Sequence, residues 1–166
     1  MRRELLIDRE AEFDAIQDLA EKFKEKYPDV HAGNSLVVMV SPDYSATAAM
    51  HLAHELSFEG EMCPIICIDV PYPDEDVMPY RLKAIKRAMS LPLYDNVIFV
   101  EAGVIRGGNY TWLKSVFSIY NVITTTLFEN IGSKFKSDVV SSYYDDNTMD
   151  LTFYYERYNK HWKGGL

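Results

Sequence analysis

Short unbroken apolar runs alternate along this chain with stretches of helical period. Residues 35–40, 64–70 and 97–100 contain almost nothing but aliphatic and aromatic side chains. Such runs mark strands buried on both faces. Residues 122–128 and 138–144 read as two further strands, and 151–155 as a last extended piece. Between them the period changes. Phe13, Ile16, Leu19, Ala20 and Phe23 recur at helical spacing across 9–26, with acids and lysines in between. Asp8 suits the N-cap of that helix, and Tyr27-Pro28 stops it, because the residue before proline avoids helical backbone angles. An alanine-rich helix is predicted from about 45 to 58, ended by Gly60. A basic helix carrying Arg81, Lys83, Lys86 and Arg87 is predicted over 78–90, and another from about Asn109 or Thr111 to Tyr120. Strands alternating with helices predict an α/β sandwich with a mainly parallel sheet of about five strands. In such sheets ligands collect at the carboxyl ends of the strands. Three loops would meet there: 41–45, 69–78 and 101–111.

Composition narrows the picture. At 166 residues the chain is expected to form one domain, 1–166, with a single core. Its net charge of −8 repels nucleic-acid phosphates and anionic membrane surfaces, so neither is an expected partner. No apolar run approaches the ~18 residues of a membrane span, and the first residues lack a signal peptide's apolar core, so a cytoplasmic location is expected. The cysteines are Cys63 and Cys67. On a strand they would lie ~13 Å apart at ~3.3 Å per residue, too far for a disulfide, and both are read as core residues. Twelve tyrosines suit half-buried contact surfaces, which makes a homodimer plausible.

The chemistry concentrates in residues 96–112. An apolar strand reaches Glu101, a turn follows with Gly103, Arg106, Gly107 and Gly108, and a helix opens behind it. Glycines let backbone N–H groups approach an anion, and the helix N-terminus favours negative charge. A carboxylate at the strand end suits ribose hydroxyls or a metal. Arg106 has two uses open to it: a bidentate grip on phosphate, or an ion pair with Glu101. Asp69, at the end of the second strand, either helps to hold a metal or simply begins the proline-rich acidic loop 71–76. His51 and His54 lack a third ligand and read as helix-surface or packed histidines. Asp145-Asp146-Asn147 reads as a turn and not as a calcium loop. The cations of 78–90 read as a solvated face, with a phosphate site as the sharper alternative.

This order of elements resembles the type I phosphoribosyltransferases, most of all their hypoxanthine and xanthine branch, from the first helix to the tail. The stretch Val97 to Tyr110 is similar to the family's strand, acid pair and phosphate turn. On that resemblance Glu101 stands for the first ribose-binding acid and is the catalytic candidate, while Ala102 takes the place of the second. The turn with Arg106, Gly107, Gly108, Asn109 and Thr111 would hold a 5′-phosphate. Ser41, Asp43 and Tyr44 fall where the family has its pyrophosphate loop, with an acid in place of its usual basic residue. Tyr154 or Tyr155 falls where a base would be stacked. Glu129 stands where those enzymes keep a lysine. The resemblance implies a transferase of purine salvage that uses Mg²⁺ and 5-phosphoribosyl pyrophosphate, or binds a nucleoside monophosphate. An alternative of another class is a phosphoribosyltransferase fold without the reaction, serving as a nucleotide- or protein-binding regulatory module. A weaker one is a mononucleotide binder of flavodoxin-like topology, though the first strand lacks a glycine-rich loop.

Overall fold

The computed structural model describes residues 3–40, 42–71, 75–104 and 107–153, with no side-chain description at 42–44. Among the described residues five strands form the main sheet: β2 (Ser35–Val40), β3 (Ile65–Ile68), β4 (Asn96–Val104), β5 (Asn121–Asn130) and β6 (Val139–Tyr144). Every pairing is parallel and the order is β3-β2-β4-β5-β6. The predicted sheet is therefore present. The order reverses between β2 and β4, which puts a crevice at their carboxyl ends.

Helices cover both faces. The helices α1 (Arg9–Lys26) and α2 (Pro42–Glu55) pack on one side, and α3 (Val77–Met89) and α4 (Gly108–Val116) on the other. Alternate residues of β4 feed the two layers. Ile98, Val100 and Ala102 join the core with α1 and α2, while Val97 and Phe99 join the core with α3 and α4. Glu101 lies on the α4 side, buried beside Tyr110. Tyr110 fixes α4 to the sheet: its hydroxyl donates to the Thr125 carbonyl, and its ring is fully buried between Phe99 and Phe135.

Several boundaries differ from the sequence reading, each for a local reason. A strand was not expected at the start. Arg3–Ile7 forms β1 and pairs in parallel with β7 (Met149–Phe153), making a separate two-stranded sheet. Only Ile7 of β1 is fully buried, so its sequence lacks the long apolar run that identifies a central strand. Helix α2 starts at Pro42, a residue pre-set for the first helical turn, so Asp43 and Tyr44 lie in that turn and not in a loop. It ends at Glu55. Gly60 (φ 85°) and Glu59 (φ 51°) instead form the tight turn that closes the Phe58–Glu61 bridge. Asp8 does cap α1, accepting from the Ala11 N–H at 2.8 Å. Phe13, however, is half exposed and edge-on to His51; Ala15 takes the buried position beside Ile16, Leu19, Ala20 and Phe23. Cys63 is buried as expected, but Cys67 is exposed, because β3 is an edge strand and Cys67 is on its open side. The turn at 145–148 is built by Asp145, whose carboxylate accepts from the Asn147 N–H. Among the described residues no helix is long and apolar enough to cross a membrane.

Candidate functional site

The carboxyl end of β4 and the start of α4 bring Glu101, Gly107, Gly108, Asn109 and Thr111 together, as the sequence suggested. Gly107 is the N-cap of α4, with φ 74° in the left-handed region that side chains avoid. It is also tightly covered: a Cβ there would meet the Phe135 Cβ at 2.1 Å. Gly108 is different. It is exposed, and among the described residues a Cβ on it would meet nothing within 4 Å. The first N–H groups of α4 have no side-chain cap, because the N-cap is glycine. The Thr111 hydroxyl donates back to the Gly107 carbonyl at 3.0 Å and braces the first turn. Among the described residues the result is a helix N-terminus with open space at Gly108 and Phe135 packed behind Gly107, an arrangement that suits an anion.

Glu101 lies behind this turn, bonded to the Asn109 side chain. It is buried, and burial pushes its carboxyl up to about 8, with a hydrogen bond from the Asn109 side chain pulling the other way. At neutral pH the group is a carboxylic acid that both donates and accepts hydrogen bonds. A neutral acid also spares a neighbouring phosphate a like charge. Asn109 thus holds Glu101, a role its place in the turn did not announce. Ala102, where the second acid was expected, faces the opposite layer and is fully buried in the core.

Glu129 is fully buried too. One carboxylate oxygen accepts from the Ser137 N–H at 2.8 Å, and the other lies 3.7 Å from the Lys136 ammonium without a hydrogen bond. Together with the Thr126–Ser137 hydroxyl bond of 2.7 Å, it ties loop 131–138 down over α4. Phe135 sits on that loop. Neither Phe135 nor Tyr110 was picked out by sequence reasoning, and neither has a motif. Only the glycine at 107 signalled that something would crowd it.

The remaining candidates are scattered. Asp69 follows β3 and lies in a cleft with Lys83 and Arg87 instead of with other acids. Among the described residues no three His, Cys, Asp or Glu side chains converge as a metal site. The residues here therefore do not form a donor set for the Mg²⁺ that the resemblance implies: Glu101 is buried and protonated, and Asp69 is beside two cations. Asp43 and Tyr44 begin α2, their side chains undescribed. Ser41, Arg106, Tyr154 and Tyr155 lie outside the described residues.

No family model matches this sequence, and no curated protein matches it. Solved structures do. A xanthine-guanine-hypoxanthine phosphoribosyltransferase from Helicobacter pylori superposes with a TM-score of 0.67 at 14% identity, over 99% of each chain. The fold is that of the phosphoribosyltransferases. A purine phosphoribosyltransferase from Pyrococcus horikoshii gives a TM-score of 0.62 at 17% identity, covering 90% of this chain and 91% of its own. A hypothetical protein from Neisseria gonorrhoeae, solved with bound ppGpp, gives 0.62 at 14% identity over 100% and 99%. Identities this low fit a divergent member of that fold and leave its chemistry to be argued from the residues.

Proposed function

We propose that this protein binds a phosphoribosyl group at residues 101–111, as a divergent phosphoribosyltransferase-like protein of nucleobase or nucleotide metabolism. The observation that carries this reading is the open backbone face at Gly108 beside the buried Glu101–Asn109 pair. The 5′-phosphate would accept from the uncapped N–H groups of α4, and Glu101 would hydrogen-bond the ribose hydroxyls. The neighbours of the same fold include purine phosphoribosyltransferases and a protein holding ppGpp, which supports a purine nucleotide or 5-phosphoribosyl pyrophosphate as the ligand class.

If the protein is a transferase, Glu101 would have to ionise, because the sugar carbon becomes cationic in the transition state and a carboxylate is what stabilises it. Its protonated state near pH 7 and the core position of Ala102 favour the second reading, a nucleotide-binding module that has kept the fold and lost the reaction. Melting curves separate the two. With 5-phosphoribosyl pyrophosphate and nucleoside monophosphates each supplied at about 100 times the dissociation constant, binding to the folded state adds about 2.7 kcal/mol. Stabilisation by 5-phosphoribosyl pyrophosphate, with release of pyrophosphate when a purine base is added with Mg²⁺, is the enzyme's result. Stabilisation by a monophosphate without turnover is the module's result. Absence of stabilisation by every one of them rejects both.

A further inference from the structure

Helix α3 buries only Ala84 and Ala88 and exposes apolar and basic side chains side by side. Its apolar residues Met78, Leu82 and Met89 are exposed, at 50%, 52% and 83%. The side toward β3, at i, i+3, i+4 and i+7 spacing, carries Tyr80, Lys83, Ala84 and Arg87, with both cations exposed along the cleft. Ala84 and Ala88 touch the sheet, and their small size leaves a cleft of about 230 Å³ between α3 and the end of β3. Cys67, Ile68 and Asp69 form the opposite wall. The Lys83 ammonium sits over the Tyr80 ring at 6.0 Å, and the Tyr80 hydroxyl is fixed by Glu75 at 2.7 Å. Among the described residues, neither Lys83 nor Arg87 belongs to an ion pair, although acids outnumber bases by 25 to 17 in the chain. Asp69 lines the cleft beside them, and the Glu75 carboxylate stands at its Tyr80 end.

We propose that this cleft is a second anion site, separate from the turn at 101–111, that takes a small phosphate-bearing anion of phosphate or pyrophosphate size. The guanidinium of Arg87 suits two phosphate oxygens at once, and Lys83 supplies a point charge beside it. The volume is below the ~300 Å³ at which pockets begin to hold drug-sized ligands, so a whole nucleotide does not fit inside the cleft. A phosphoryl group does.

Calorimetry of the native full chain with inorganic pyrophosphate gives the affinity, and variants give the location. The expected result is that pyrophosphate binds and that Lys83→Ala with Arg87→Ala weakens binding at least tenfold. Gly108→Ala, at the other site, is expected to change that affinity less than twofold. Phosphate in place of pyrophosphate tells which anion is preferred. The proposal is overturned if pyrophosphate gives no heat or if the double variant binds it like the wild type. Loss of binding in Gly108→Ala would also overturn it, by assigning the anion to the turn.

Discussion

Gly107→Ala is expected to lower the melting temperature by on the order of 10 °C. Two costs add. Left-handed backbone (φ 74°) is worse for alanine than for glycine by about 1–2 kcal/mol. The new methyl would also meet the Phe135 Cβ at 2.1 Å, so backbone must move, and overpacking of this kind costs about 1–3 kcal/mol. For a chain of this length about 3–4 kcal/mol corresponds to that shift. A cycle with Phe135→Gly isolates the contact. In the glycine background the second cost disappears and Gly107→Ala keeps only the first. If Gly107→Ala melts with the wild type, the close approach of loop 131–138 to α4 is wrong. Gly108→Ala is the informative contrast. With open space around it and a helical position, alanine there is expected to stabilise the free protein by about 0.5–1 kcal/mol. It would nonetheless place a methyl where the phosphate is proposed to sit. Thermal melts read the stability and calorimetry the binding, and the two should move in opposite directions.

The second large effect belongs to Glu101. Its folded value of about 8 lies above the ordinary 4.5. Between those values the folded protein keeps a proton that the unfolded chain has released. Stability is therefore greatest below about pH 4.5 as far as this group is concerned, falls as pH rises toward 8, and levels off above it. At about 1.4 kcal/mol per pH unit the loss reaches at most about 5 kcal/mol. Glu101→Gln keeps the shape and removes the titration. The gap between variant and wild-type melting temperatures should open between pH 5 and pH 8, in favour of the variant. A constant gap over that range would mean that Glu101 is not held protonated. The same ionisation should weaken phosphate binding above about pH 8 in the wild type and not in Glu101→Gln.

How far the sequence carried depends on the residue. The order of strands and helices was legible because β2 and β4 are buried on both faces and so are nearly pure apolar runs, and because Asp8 and Tyr27-Pro28 punctuate α1. The turn at 101–109 was legible for a related reason: glycines at 107 and 108 are rare without a backbone or ligand need. What lay beyond reach was long-range. Strand β1 exists because β7, some 145 residues later in the chain, offers it a parallel partner. Phe135 matters only because loop 131–138 folds back onto Gly107. Glu129, read as a reversed charge in a binding pocket, is instead a buried clamp on the Ser137 backbone. Asp69, read as either a metal ligand or the start of a loop, shares a cleft with Lys83 and Arg87 of helix α3. In each case the local composition was read correctly, and the direction of the side chain was set by packing that no short window contains.

The central claim is that the backbone at Gly108 and the carboxyl of Glu101 together hold a phosphorylated ribose. Calorimetric titration with ribose 5-phosphate and with 2-deoxyribose 5-phosphate at pH 7, on the wild type and on Gly108→Ala, tests it most directly. The predicted result is binding of ribose 5-phosphate, at least tenfold weaker binding of the deoxy sugar, and a loss of both in Gly108→Ala despite its higher melting temperature. Equal affinities for the two sugars would contradict the role of Glu101, and unchanged binding in Gly108→Ala, or no binding at all, would contradict the site.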